Sequence, residues 1–184
     1  MNHSSRHPPI VETAPSPAAG AQDAASSSLV LHWPDEAATA AFAARLAAQP
    51  ATQDAFVTLH GDLGAGKTTL VRHLLRALGV QGRVKSPTYA VVEPHAVETR
   101  QPPLAIWHFD FYRFDDPREW EDAGFRDIFA SPGLKLAEWP EKAGALLPPA
   151  DLAITITAQA DDGRDVQVAA RTPRGLGLLE NLKT

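Results

Sequence analysis

The segment Gly61-Asp62-Leu63-Gly64-Ala65-Gly66-Lys67-Thr68 constrains this chain more than any other. Two glycines separated by four residues and followed by Lys and Thr let successive backbone N–H groups turn inward around an anion, at the start of a helix whose dipole favours negative charge. Such a loop works only between a strand and a helix. Phe56 to His60 reads as the strand, and Thr68 to Leu78 as the helix, with Gly79 in its C-cap position. A βα unit of this kind commits the chain to an α/β sheet.

The remaining pattern extends that sheet. Leu29 to Trp33 reads as a strand, Pro34 and Asp35 open a helix, and Phe42 with Leu46 mark its inward face. Tyr89 to Glu93, Leu104 to Asp110, Leu134 to Glu138, Leu152 to Thr157 and Asp165 to Ala170 are further strands, the last two joined at Asp162-Gly163 in hairpin fashion. The expected fold is a phosphate-loop α/β domain over residues 29–184: a mixed sheet with a parallel core, flanking helices and a C-terminal β-hairpin. Residues 1–28, rich in Pro, Ala and Ser, carry too little apolar surface to offset ordering entropy and are expected to be a disordered tail.

Composition narrows the function. With no cysteine in 184 residues, disulfides and cysteine-ligated metal centres are excluded, which fits a reducing compartment. No apolar run is long enough to span a bilayer, and the N-terminus lacks the apolar stretch of a secretory signal, so a cytoplasmic protein without a membrane role is expected. The net charge of −5 is the wrong sign for direct grip on DNA or RNA phosphates.

A phosphate loop needs acids for the metal and the attacking water before it can hydrolyse a nucleotide. Lys67 is placed to neutralise the β and γ phosphates, and Thr68 to offer its hydroxyl to Mg2+. Asp110 ends the apolar run Leu104-Ala105-Ile106-Trp107-His108-Phe109, and Glu138 ends Leu134-Lys135-Leu136-Ala137. Acids at the carboxyl ends of parallel strands converge on the ligand side of an open sheet; the competing reading of each is an acid capping a turn. Thr88, in Ser86-Pro87-Thr88-Tyr89, stands where GTPases carry a switch threonine, against the alternative of a turn feeding a strand. Asn-Lys-x-Asp, the usual guanine-reading sequence, is absent, so ATP is the expected nucleotide. The seven histidines lack metal-ligand spacing, and His108 is assigned no role.

Taken together, Gly61 to Thr69, Val84-Lys85-Ser86-Pro87-Thr88-Tyr89, His108-Phe109-Asp110-Phe111-Tyr112-Arg113 and Glu138-Trp139-Pro140 resemble the TsaE family of bacterial ATPases in tRNA threonylcarbamoyladenosine biosynthesis. The resemblance covers about residues 29–172. It implies slow ATP hydrolysis with Mg2+, in company with the TsaB and TsaD proteins, which place threonylcarbamoyl on the adenosine next to the anticodon; tRNA would be met only through that assembly. Carried onto this sequence, it implies Lys67, Thr88, Asp110 and Glu138 as catalytic residues and Thr68 with Glu138 at the metal. Nucleotide contacts would come from Asp62, Gly64, Ala65, Gly66, Lys67, Thr68, Thr69 and Asp110, with Glu36 and Arg164 on the adenine side. The tail, the Glu98 to Pro103 linker and Trp120 depart from the family pattern.

Two other functions compete with an ATPase that cycles a tRNA-modifying assembly. A small-molecule kinase would need an Arg-rich lid, whereas Arg72, Arg76, Arg83, Arg100 and Arg113 are scattered singly. A nucleotide-gated binding module would bind ATP without hydrolysing it.

Overall fold

The computed structural model describes residues 27–183, so the expected tail, up to and including Ser26, lies outside the described residues. Among these residues seven strands form one sheet: β1 (Ser28–Trp33), β2 (Phe56–His60), β3 (Val92–Val97), β4 (Leu104–Asp110), β5 (Leu134–Glu138), β6 (Leu152–Ala158) and β7 (Arg164–Ala170). Their spatial order is β1-β7-β6-β2-β5-β4-β3. The four strands β6, β2, β5 and β4 run parallel, whereas β7, β1 and β3 pair antiparallel with their neighbours. The mixed sheet with a parallel core and a C-terminal β6–β7 hairpin is therefore as the sequence predicts. Asp162, at φ 65°, makes the hairpin turn.

Strands β2 and β5 are buried on both faces and β4 nearly so, which is why they read as apolar runs, whereas β6 alternates, with Thr155 and Thr157 exposed. Among the described residues six α-helices surround the sheet: α1 (Glu36–Ala47), α2 (Lys67–Leu78), α3 (Pro117–Asp122), α4 (Phe125–Ala130), the single turn α5 (Pro140–Ala143) after β5, and α6 (Pro173–Lys183). One face packs on α1, α2 and, near β7, α6. Its core includes Leu46, Leu59, Leu74, Ile106, Leu136, Ile154 and Leu178. The opposite face carries α3 and α4, whose Trp120, Phe125 and Phe129 close on Phe109 and Phe111 in stacked and edge-on pairs. Asp35 caps α1, accepting from Ala38 N–H at 2.8 Å. Gly79 closes α2 at φ 105°, a backbone conformation open to glycine, with Val80 N–H returning to the Leu75 carbonyl at 2.9 Å.

The structure corrects one strand. The segment beginning at Tyr89 is a turn, and β3 starts only at Val92. The N–H groups of Ala90 and Val91 both bond to the Pro87 carbonyl, at 2.9 and 2.7 Å, and Val91 adopts φ 64°, an outlier for a β-branched side chain. The Val91 carbonyl in turn accepts Asp110 N–H at 2.8 Å, which fastens the turn to the end of β4. Helix α6 lies outside the sequence expectations, and β1 begins one residue early because Ser28 still pairs with Ala169.

Candidate nucleotide site

The sheet register decides what meets the phosphate loop. Glu138 lies opposite both Asp110 of β4 and Leu59 of β2, so the two acids end adjacent strands at one level beside the loop that follows β2. Gly61 can open that loop only as glycine: its φ is 135°, and a Cβ there would stand 2.2 Å from the Ile156 carbonyl oxygen.

The loop, the acids and the Thr88 turn line a cavity of about 310 Å³. Within it Thr68 donates its hydroxyl to Glu138, with Oγ1 at 2.9 and 2.8 Å from the two carboxylate oxygens. Asp110 accepts from Thr88 Oγ1 at 2.8 Å, from Ser86 Oγ, and from Tyr112 N–H at 3.0 Å. Both carboxylates are almost wholly buried. Asp110 thus ties the Thr88 turn to the sheet, and Glu138 ties the first turn of α2.

Lys67 is buried at the cavity wall, its Nζ donating to the carbonyls of Gly61 at 2.5 Å and Asp62 at 2.8 Å and lying 3.9 Å from the centroid of the Trp139 ring. Burial pulls its pKa below the usual lysine value, and the negative charges of Glu138, Glu141, Asp110 and Asp62 oppose that pull. Trp139 reaches this position from φ 56°, in the left-handed region, which costs a non-glycine residue about 1–3 kcal/mol. Stored strain beside a ligand cavity is a recurring mark of functional sites.

A smaller cavity of about 100 Å³ adjoins the first through Gly66 and Thr69. Glu36 and Arg164, from opposite ends of the sequence, meet there. Arg164 donates to the Ala65 carbonyl at 2.8 Å and to the hairpin carbonyls of Asp162 and Gly163, while Glu36 pairs with His73 at 2.8 Å. Of the residues singled out from sequence, Gly64, Gly66, Lys67, Thr68, Thr69, Thr88, Asp110 and Glu138 line the larger cavity. Ala65 is buried beneath the loop and lines the smaller one, and Asp62 contributes its carbonyl. Sequence reasoning missed His108, whose Nε2 lies 2.8 Å from Glu138 Oε1. Its place two residues before Asp110, on the same face of β4, was the available signal.

The residues present fit a magnesium-bound nucleotide. Among the described residues, no group of three or more His, Cys, Asp or Glu converges as a self-sufficient metal site. A hydroxyl, one neighbouring carboxylate and room for phosphate suit an ion that keeps water and takes phosphate oxygens as ligands.

Comparison with known proteins identifies the family. The profile of the family described as "Threonylcarbamoyl adenosine biosynthesis protein TsaE" matches residues 33–166. The tRNA threonylcarbamoyladenosine biosynthesis protein TsaE of Haemophilus influenzae is 45% identical over 123 residues, which are 67% of this chain and 75% of that protein. The protein of the same name from Bacillus subtilis is 36% identical over 139 residues, 76% of this chain and 84% of its own. The crystal structure of Bacillus subtilis YdiB superposes with a TM-score of 0.68 at 28% identity, covering 86% of this chain and 95% of that one. With a phosphate loop, a Thr88 turn and two strand-end acids inside the matched span, the chain belongs to the TsaE family.

Proposed function

We propose that the protein binds ATP with Mg2+ in the cavity at Gly61 to Thr69, hydrolyses it slowly, and serves threonylcarbamoylation of the tRNA adenosine next to the anticodon together with TsaB and TsaD, without transferring the group itself. The observation that carries this reading is the contact of Thr68 with Glu138, with Asp110 at the end of the next strand bonded to Thr88 of the turn. A module that only sensed nucleotide would need the loop but not two buried acids converging on it.

In this reading the loop amides and Lys67 hold the phosphates. Thr68 and Glu138 would hold the magnesium, which supplies charge neutralisation on the phosphate oxygens when bound. Asp110 holds Thr88 against the phosphate side and orients water for attack. Trp139 and Tyr112, rings 5.0 Å apart, form one wall of the cavity. Glu36 and Arg164 would line the adenine side. Exposed Leu63 and Tyr89, with Arg113 4.7 Å over the Tyr89 ring, offer the partners a surface beside the loop and the Thr88 turn, so that nucleotide state is read directly.

The test pairs calorimetry of Mg·ATP binding with phosphate release in the presence of TsaB and TsaD. Asp110→Ala and Glu138→Ala should retain ATP binding while phosphate release falls about a hundredfold or more. Absence of ATP binding by the unsubstituted protein, or unaltered turnover in both variants, overturns the assignment.

A further inference from the structure

His108 is fully buried in β4 and holds its ring against the site from behind. Its Nε2 lies 2.8 Å from Glu138 Oε1, the oxygen that Thr68 also reaches at 2.9 Å. A carboxylate oxygen accepts, so the ring hydrogen sits on Nε2. Nδ1 is buried with no hydrogen-bond partner among the described residues. An unpaired buried polar atom costs about 1–3 kcal/mol, and a Leu or Val at this place in the apolar run before Asp110 would avoid that cost. The bond to Glu138 is what offsets it.

We propose that His108 is a positioning residue of the nucleotide site: its Nε2–H fixes the Glu138 carboxylate on Thr68 and so sets the protein's response to magnesium. The proposal rests on the reading of Glu138 given above. Glu138 lies at the end of β5 with rotatable bonds between its backbone and its carboxylate, and Thr68 bonds to both oxygens, so Thr68 alone does not distinguish them. His108 does, because it is anchored in a different strand and touches Oε1 only. When Thr68 turns its hydroxyl toward a ligand, the His108 bond is the one that keeps the carboxylate in place. Groups that stand behind a metal-site carboxylate in this way are typically worth about tenfold to a hundredfold in metal affinity.

The experiment titrates magnesium against ATP binding by calorimetry in the full chain, the His108→Leu variant and the His108→Gln variant. His108→Leu should need about tenfold more magnesium for half-maximal enhancement of ATP binding, with ATP affinity in chelator unchanged. His108→Gln, whose amide reaches Oε1, should restore most of the response; a role in packing alone would move neither the magnesium midpoint nor its rescue. In the unsubstituted protein, nitrogen NMR of the histidine rings should show His108 as the Nε2–H tautomer, a test that needs no variant to fold. If the unsubstituted protein does not bind Mg·ATP, the functional reading fails and this proposal falls with it. If it binds, and His108→Leu keeps the original magnesium midpoint or the ring is the Nδ1–H tautomer, this proposal alone is overturned.

Discussion

Lys67, proposed above to hold the phosphates, is buried at some cost to the stability of the protein. Because burial sets its folded-state pKa below the ordinary lysine value, the unfolded chain binds more protons between those two values, and the Lys67 contribution to stability rises with pH across that window. Against Lys67→Met, which keeps the stem and removes the charge, the stability of the unsubstituted protein should therefore climb as pH rises through the alkaline range. Denaturant titrations of the two proteins at matched pH check the sign. The same variant should lose ATP affinity by about a hundredfold or more in calorimetry, since backbone amides do not replace a cation on the phosphates. Lys67 and Thr68 are legible in the sequence because loop chemistry is local. His108 is not, because its partner Glu138 lies on a different strand and only the register of β4 on β5 brings the two together.

Among the elements, α6 carries two glycines with opposite roles. A Cβ on Gly175 would fall 1.9 Å from the Asp151 carbonyl oxygen, whereas nothing lies within 4 Å of one on Gly177. Gly177→Ala should stabilise the protein by about 1 kcal/mol through helix propensity. Gly175→Ala should destabilise it by about 2 kcal/mol or more, because contact with backbone forces the helix off the sheet and outweighs the same propensity gain. Thermal melts of the two variants should move in opposite directions. Those glycines also hide α6 from a propensity reading; Leu178, Leu179 and Leu182, buried against β7 and α1, hold it instead. Strands β2, β4 and β5 are legible to the residue because each is a buried apolar run bounded by turn residues. The Tyr89 segment misleads for the converse reason: Tyr-Ala-Val-Val favours a strand, but the Pro87 carbonyl and the bond from Asp110 to Val91 impose a turn.

For the whole molecule, a charge of −5 opposes direct RNA binding. The isolated protein should hold tRNA weakly in a filter assay, with RNA retention appearing when TsaB and TsaD are added; tight, salt-sensitive retention by the chain alone would contradict this. The place of β2 in the sheet has a consequence of another kind. The strand that bears the phosphate loop is flanked by β5 and β6, both encoded far downstream, and the smaller cavity needs Arg164 from the final hairpin. On the ribosome the loop emerges with neither neighbour yet made, so the proposed nucleotide affinity should arise only after nearly the whole domain has been synthesised and its distant strands have paired. A nascent chain halted before β5 should be blind to ATP, and the appearance of ATP binding during translation would time the closing of the sheet.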